Sequence, residues 1–154
     1  MKYYIGKYWA MANSTDHQEQ ALGKMKWTET AKEYGSYYES IKNMLPQVFL
    51  KEFESKNWFH DFCFESISII DFNKYVSTVV FGISLDDDSY VITFLGVEKI
   101  IFNIPNTHSW LCGKLTWGYT EFELIHNDTW IIRILCDIEC ELEIVFKHIC
   151  ISKV

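Results

Sequence analysis

Residues 121–146 read EFELIHNDTWIIRILCDIECELEIVF, and this stretch decides the fold. Apolar side chains alternate with polar or charged ones through most of it, which is the period of two that a half-buried β-strand shows. The alternation predicts strands at 115–126, 130–136 and 140–151. Because only a few residues separate one strand from the next, we expect them to pair antiparallel.

The same alternation predicts which residues face each other across these strands. A shift of one residue would turn every side chain to the opposite face of the sheet, so the hydrophobic pattern selects the loop length. Three-residue loops keep the apolar side chains together on one face. In the first hairpin such a loop pairs Leu124 with Ile132. In the second hairpin it pairs Ile134 with Leu142.

Arg133 is the only arginine of the sequence. The predicted register places it on the outer face of the sheet, between Glu123 and Glu143. Opposite charges on neighbouring strands stabilise the pairing by roughly 0.2–1 kcal/mol. Arg133 is therefore interpreted as a residue that holds the strands in register, and not as a group that binds a substrate.

The period of two extends back to residue 62. Turn signals at 86–88 and at Gly96 help to separate the earlier strands. These strands are predicted at 62–71, 75–85, 89–95 and 97–103.

Before residue 62 the apolar period is that of an α-helix. Pro46 ends one helix over 28–44 and begins another over 46–56, and Asp16 is expected to cap an earlier helix over 16–25. The main stripe consists of Trp27, Ala31, Tyr34, Tyr38, Ile41 and Leu45. Shorter inward faces are predicted for Ala21, Leu22 and Met25, and for Val48, Phe49 and Phe53.

We therefore predict an α+β fold in a single domain, 1–154. Its helical part, 1–61, packs on a β part, 62–154, which forms an antiparallel β meander of about six or seven strands. Hydrophobic residues make up 49% of the chain, which is enough for a packed core.

The formal net charge of −7 is distributed unevenly. Residues 1–61 contain as many lysines as acidic residues, so the whole acidic excess lies in 62–154. Nucleic acids and anionic membrane surfaces both require a basic surface, and neither is expected as a partner. A basic protein partner stays open, because complementary charges accelerate the encounter. The favoured interpretation of the charge is that the acidic strands keep the protein soluble.

The sequence also predicts a cytoplasmic location. Its N-terminus lacks the apolar run of a secretory signal, and no stretch approaches the roughly 18 apolar residues of a membrane span. The five cysteines are an odd number, which is typical of reduced thiols. Cys136 and Cys140 are interpreted as packing residues and not as a metal pair.

Few residues suggest chemistry. His60-Asp61 resembles a metal-ligating step of helical phosphohydrolases, but those enzymes need further ligands on other helices, so polar contacts between helix and strand are the favoured interpretation. The acidic run 86–88 lacks the glycine and the distant glutamate of a calcium loop. A Cys–His pair stays open, because such residues can meet in space. We expect no catalytic residue, no metal and no cofactor.

The chain resembles a family of uncharacterised small cytosolic proteins of Gram-positive bacteria, a domain family of unknown function. The resemblance covers most of the chain. It lies in Met1-Lys2-Tyr3, Leu45-Pro46, His60-Asp61, the stretch 94–103 with its Gly96-Val97 step, and Trp110. It implies a helical start followed by a β meander, and it carries over no catalytic residue. Some relatives with this layout lie beside toxin genes and are interpreted as immunity proteins.

Three functional hypotheses follow. The first is a non-enzymatic protein-binding domain, such as an immunity protein that masks a basic toxin with its acidic β face; its partner-binding residues would be Glu121, Glu123, Asp137, Glu139, Glu141 and Glu143. The second is a small-molecule binder or enzyme with an apolar pocket lined by Tyr34, Tyr38, Trp110 and Trp130. The third is a homo-oligomer that uses exposed aromatic strands such as 117–119.

Overall fold

The helices come first in the chain and antiparallel strands follow, which confirms the predicted α+β class. This computed structural model describes residues 1–73, 76–103, 115–126, 128–137 and 140–154, and for 71–73, 76 and 137 the backbone alone. In the described part of the chain, no helix is long and apolar enough to cross a membrane.

The helical part consists of α1 (Gly6–Ala12), α2 (His17–Ile41) and α3 (Gln47–Ser55). α2 joins the two helices that were predicted at 16–25 and 28–44, because no proline interrupts the chain between them. The helix predicted from residue 46 is α3, and its bounds agree to within a residue.

Asp16 caps α2 as predicted. Its side chain accepts hydrogen bonds from the backbone N–H groups of Gln18 and Glu19 at 2.8 and 2.9 Å, which satisfies two of the donors that a helix start leaves unpaired. Farther along α2, Gly23 permits close packing of α1, since a Cβ at this position would collide with the backbone of Ala12.

The apolar stripe of α2 is confirmed in its second half. Tyr34, Tyr38, Ile41 and Leu45 are buried, and Trp27 and Ala31 are half-buried. Two shorter predicted faces are wrong in part. Ala21, Leu22 and Met25 are exposed, because α1 approaches this half of α2 on its Gly23 side. Val48 is also exposed, and Leu50 is buried beside Phe49 and Phe53.

The described residues form eight strands in two four-stranded sheets. The first sheet has the order β1-β2-β3-β8 and the second the order β4-β7-β6-β5. Both contain three-stranded meanders, β1 to β3 and β5 to β7. The strands are β1 (Cys63–Asn73), β2 (Val76–Leu85), β3 (Asp88–Val97), β4 (Lys99–Asn103), β5 (Tyr119–His126), β6 (Thr129–Asp137), β7 (Cys140–Phe146) and β8 (His148–Lys153).

The strand predicted at 140–151 is two strands. It divides at Lys147, where the chain leaves the second sheet and enters the first. The passage from β3 to β4 occurs beside it: Gly96 has a φ of 63° and approaches the Lys147 side chain, and the Lys147 N–H donates to the carbonyl of Leu95 at 3.0 Å. The two connections between the sheets, from β3 to β4 and from β7 to β8, therefore lie next to each other.

One predicted register is confirmed and the other is displaced. Between β6 and β7, Ile134 faces Leu142 and Ile132 faces Ile144, as predicted. Between β5 and β6, Leu124 faces Trp130, so the predicted pairing with Ile132 is wrong by two residues. His126 faces Thr129, which is one residue away from the predicted register, and the irregularity between Leu124 and His126 adds the second residue. From Leu124 back to Tyr119 the shift is therefore two, which keeps these side chains on their predicted faces.

The core extends from the helices to both sheets through aromatic rings. Phe49 and Phe53 of α3 contact Phe122 of β5, with ring centroids 5.8 and 5.5 Å apart. Phe94 and Phe146 join the two sheets at 5.1 Å. The helices therefore lie on a continuous aromatic core.

The residues expected to line an apolar pocket are packed instead. Tyr34 and Tyr38 are buried against Trp58, and Trp130 is buried beside Phe122. These three side chains are therefore buried in the core. Trp110, its fourth predicted residue, lies outside the described residues.

Two further burial predictions have clear outcomes. Cys136 and Cys140 are buried, as expected for packing residues. The sequence predicts 117–119 to be an exposed aromatic strand. This prediction is wrong for Trp117, which is fully buried. Its ring is stacked on Phe64 at 5.5 Å, and this contact takes it out of solvent.

Candidate functional site

Glu121 is one of the six residues of the predicted acidic surface, but it is buried, with 1% of its surface exposed. The backbone N–H groups of Lys2, Tyr3 and Tyr4 donate to its carboxylate at 2.8, 2.6 and 2.6 Å. The first residues of the chain therefore cover this carboxylate. The expectation that Glu121 lies on the outer surface is wrong, because three backbone donors can replace the water around one buried charge.

The neighbouring glutamates are bound to cations of the same chain. Arg133 donates to Glu123 at 2.7 Å and to Glu143 at 2.9 Å, so the predicted contacts of the single arginine are confirmed. Lys99 also lies 3.1 Å from Glu143, and the amino group of Met1 lies 2.8 Å from Glu141. The two remaining predicted residues, Glu139 and the side chain of Asp137, lie outside the described part.

These contacts change how the two glutamates titrate. Desolvation acts to raise the pKa of each carboxylate. At Glu123 the hydrogen bond and the charge of Arg133 outweigh this effect. At Glu143 the hydrogen bonds and charges of Lys99 and Arg133 do so. The pKa of Glu123 and that of Glu143 are both lower than their ordinary values. Such groups stabilise the fold above the unfolded pKa, and this stability is lost as the pH falls through the folded pKa.

Substitution of Arg133 by methionine should test this linkage. We expect it to lower the free energy of unfolding at pH 7 by about 1–2 kcal/mol, because Glu123 and Glu143 lose their shared cation. The difference from the wild type should be smaller at pH 3 than at pH 7, because the glutamates become protonated as the pH falls through their lowered folded pKa. Urea unfolding at both pH values measures it, with Lys147→Met as a surface control. An undiminished difference at pH 3 would contradict the linkage.

A left-handed turn follows α3 and leads into β1. Asn57, Trp58 and Phe59 have φ values of 49°, 60° and 59°, and Asp61 has a φ of 72°. None of these residues is a glycine, and the left-handed conformation costs other residues roughly 1–2 kcal/mol each. Such strain persists only where surrounding contacts impose it, and it clusters at functional sites.

The surrounding contacts that impose the turn can be identified. Phe59 is buried, and its ring lies 5.7 Å from that of Trp117. The Asp61 N–H donates to the carbonyl of Trp117 at 2.8 Å, and the Trp117 N–H donates to the carbonyl of Phe62 at 2.7 Å. Hydrogen bonds and ring packing therefore hold the turn against the segment that precedes β5.

His60 and Asp61 lie between this turn and β1. His60 Nδ1 and Asp61 Oδ2 are 3.1 Å apart, and 75% of the Asp61 side chain is exposed. The predicted polar contact at the boundary of helix and strand is therefore confirmed. Among the described residues no group of three or more His, Cys, Asp or Glu side chains could hold a metal ion.

Three clefts meet at His60, which lines all of them. The aromatic cleft has a volume of about 400 Å³ and is bounded by Tyr4, Trp58, His60 and Tyr119. The Trp9 cleft, of about 420 Å³, lies on the other side of Tyr119. The acidic cleft, of about 340 Å³, is lined by Asp61, Asp86 and Asp88 among others. Each volume is at the lower end of the range for ligand sites, roughly 300–1,000 Å³.

Gly118 sets the position of the wall between the first two clefts. A Cβ on this residue would collide with the carbonyl oxygen of Leu135, so only glycine allows the chain to run this close to β6. The next residue, Tyr119, packs against His60 with ring centroids 4.9 Å apart and an angle of 74° between the planes.

The charges around the clefts favour a positively charged ligand. Among the described residues that line them, Lys56 is the only lysine or arginine, and its ammonium group is 2.5 Å from Asp88. Asp61 and Asp86 are exposed at the same place. The pKa of Tyr4 is raised to about 12 by desolvation and by the charge of Glu121, so its phenol stays neutral.

Comparison with known proteins adds no assignment. No protein-family model matches the chain. No curated protein matches it either. The family resemblance of the sequence therefore stays a prediction.

Proposed function

We propose that the protein is a non-enzymatic binding domain for a basic protein partner, and that the partner contacts the surface around His60. The observation that carries the proposal is the convergence of three clefts on one residue beside a strained left-handed turn. An immunity protein that masks a basic toxin is the member of this class that the family resemblance implies.

The proposal keeps the class of partner expected from the sequence and changes the surface. The strand glutamates Glu123, Glu141 and Glu143 already contact cations of this chain, so a partner would have to displace those cations. At the clefts, Asp61 and Asp86 are exposed carboxylates on a protein of net charge −7. Such a field accelerates the encounter with a basic partner.

A synthetic deca-lysine peptide tests the proposed function. We expect it to bind in calorimetric titration, and the double substitution Asp61→Asn and Asp86→Asn should weaken binding about tenfold, because each exposed charge contributes up to about 1 kcal/mol. Raising the salt from 0.1 to 1 M should weaken it further, since the screening length falls from about 10 to about 3 Å.

The matched control removes two charges elsewhere. Glu29 and Glu33 are exposed on α2, and their replacement by glutamine changes the net charge equally. We expect this control to bind the peptide about as the wild type does. If both double variants lost the same affinity, the attraction would be one of net charge alone and the proposed surface would be wrong.

A further inference from the structure

We propose that the aromatic cleft is a cation–π site for an alkylammonium group, the chemistry of a lysine side chain. The inference rests on the proposed function in one respect: the natural occupant would be a lysine of the basic partner. The cleft is bounded by the rings of Tyr4, Trp58, His60 and Tyr119. A cation over the face of a tyrosine or tryptophan ring is attracted by its electron density, and Tyr4, Trp58 and Tyr119 provide three such rings.

The rings enclose a corner of suitable shape. Tyr119 stands at 74° to His60 and at 31° to Tyr4, with centroids 4.9 and 5.2 Å apart. A ligand in the corner between Tyr119 and His60 therefore meets two walls that stand nearly perpendicular to each other. The cleft volume of about 400 Å³ accommodates a small ligand or a single inserted side chain.

The electrostatic surroundings select a cation over an anion. No lysine or arginine occurs among the described residues that line this cleft. The carboxylate of Glu121 lies under its Tyr4 wall, 2.6 Å from the Tyr4 backbone nitrogen. Asp61, beside His60, adds a second negative charge near the cleft. An anionic ligand would meet no basic side chain on these walls.

The walls are also held in place before any ligand arrives. Trp27 packs on both Tyr4 and Tyr119 from behind, with centroids 5.3 and 4.7 Å away. Trp58 packs on Tyr38 at 4.6 Å and is part of the left-handed turn. Because the rings are already fixed, binding costs little side-chain entropy. The strained turn therefore has a role in the proposed site, because it determines the position of the Trp58 ring that lines the cleft.

The test compares a cation with its uncharged isostere. Choline and 3,3-dimethylbutan-1-ol have the same shape and differ by one positive charge. We expect choline to shift tryptophan fluorescence saturably and to bind at least tenfold more tightly than the alcohol. Equal binding of the two would overturn the cation–π assignment, because the cleft would then recognise shape alone.

Substitutions locate the site. Tyr119→Leu should weaken choline binding about tenfold, whereas Tyr119→Phe should retain it, since the ring remains. Trp9→Leu is the matched control, because Trp9 lines the neighbouring cleft and not this one. Loss of choline binding in the Trp9 variant with retention in Tyr119→Leu would overturn the placement. Circular dichroism of each variant establishes that it is folded.

The two proposals fail separately. Deca-lysine binding that depends on Asp61 and Asp86, with no choline binding, would overturn the cation–π site and leave the proposed function standing. Choline binding that depends on Tyr119, with no peptide binding, would overturn the proposed function and leave the ammonium site standing.

Discussion

Replacement of Glu121 by alanine is expected to lower the free energy of unfolding by about 3–5 kcal/mol. The carboxylate is buried and accepts three backbone hydrogen bonds from residues 2–4. Its removal leaves those N–H groups without their acceptor, and each buried donor that loses its partner costs roughly 1–3 kcal/mol. Arg133, 4.0 Å away, also loses a neighbouring negative charge.

Glu121→Gln and Glu123→Gln complete the test in urea unfolding. The amide at 121 keeps one oxygen acceptor but points an N–H₂ group at a backbone donor, so an intermediate loss of about 1–3 kcal/mol is expected. Glu123 is partly exposed, and its substitution should cost about 1 kcal/mol or less. Equal small losses for all three variants would contradict the role assigned to residues 2–4.

The sequence predicted the faces of the strands better than their offsets. Alternation assigns each side chain to one face, and it did so correctly for Phe122, Ile132 and Ile134, which are all buried. It cannot distinguish two registers that differ by two residues, since both keep the same faces together. The observed register results from the pairing of His126 with Thr129 at the hairpin end together with the irregularity after Leu124, and no residue type in the sequence indicates such an irregularity.

The division of 140–151 into two strands was not predicted, because alternation of apolar and polar residues does not show where one strand ends and the next begins. The apolar pattern continues across Lys147, because β7 and β8 both bury residues in the same core. The change of sheet takes place at a single exposed residue, without the glycine or proline that would mark a turn. A glycine does mark the other connection between the sheets, from β3 to β4, where Gly96 has a positive φ.

The candidate site was only partly visible in the sequence. His60 and Asp61 were recognised as a polar pair, and they lie beside the clefts. Tyr4, Trp58 and Tyr119 come from three separate places in the chain, so no local spacing joins them. The left-handed turn contains no glycine, which is the residue that normally marks a positive φ. Tertiary contacts impose it, and sequence patterns do not record those contacts.

The site should also depend on Trp117, whose replacement by alanine is expected to lower the free energy of unfolding by about 3–5 kcal/mol. The side chain is fully buried, contacts Phe59 and Phe64, and donates from Nε1 to the Thr120 hydroxyl at 2.6 Å. Its removal leaves a cavity where the left-handed turn, β1 and the start of β5 meet. Loss of choline binding should accompany the loss of stability, since the segment that carries Tyr119 is no longer fastened to the turn.

Trp117→Phe separates packing from the hydrogen bond. A phenyl ring keeps most of the contact with Phe64 and lacks the N–H donor, so we expect a smaller loss of about 1–2 kcal/mol and retained choline binding. Val48→Ala, at a position with 70% of its surface exposed, is the control and should change stability by less than about 0.5 kcal/mol. Trp117→Ala could instead abolish choline binding and leave stability unchanged. In that case the ring would act on the ligand directly, and the assignment of Trp117 as the buried residue that holds the turn in place would be wrong.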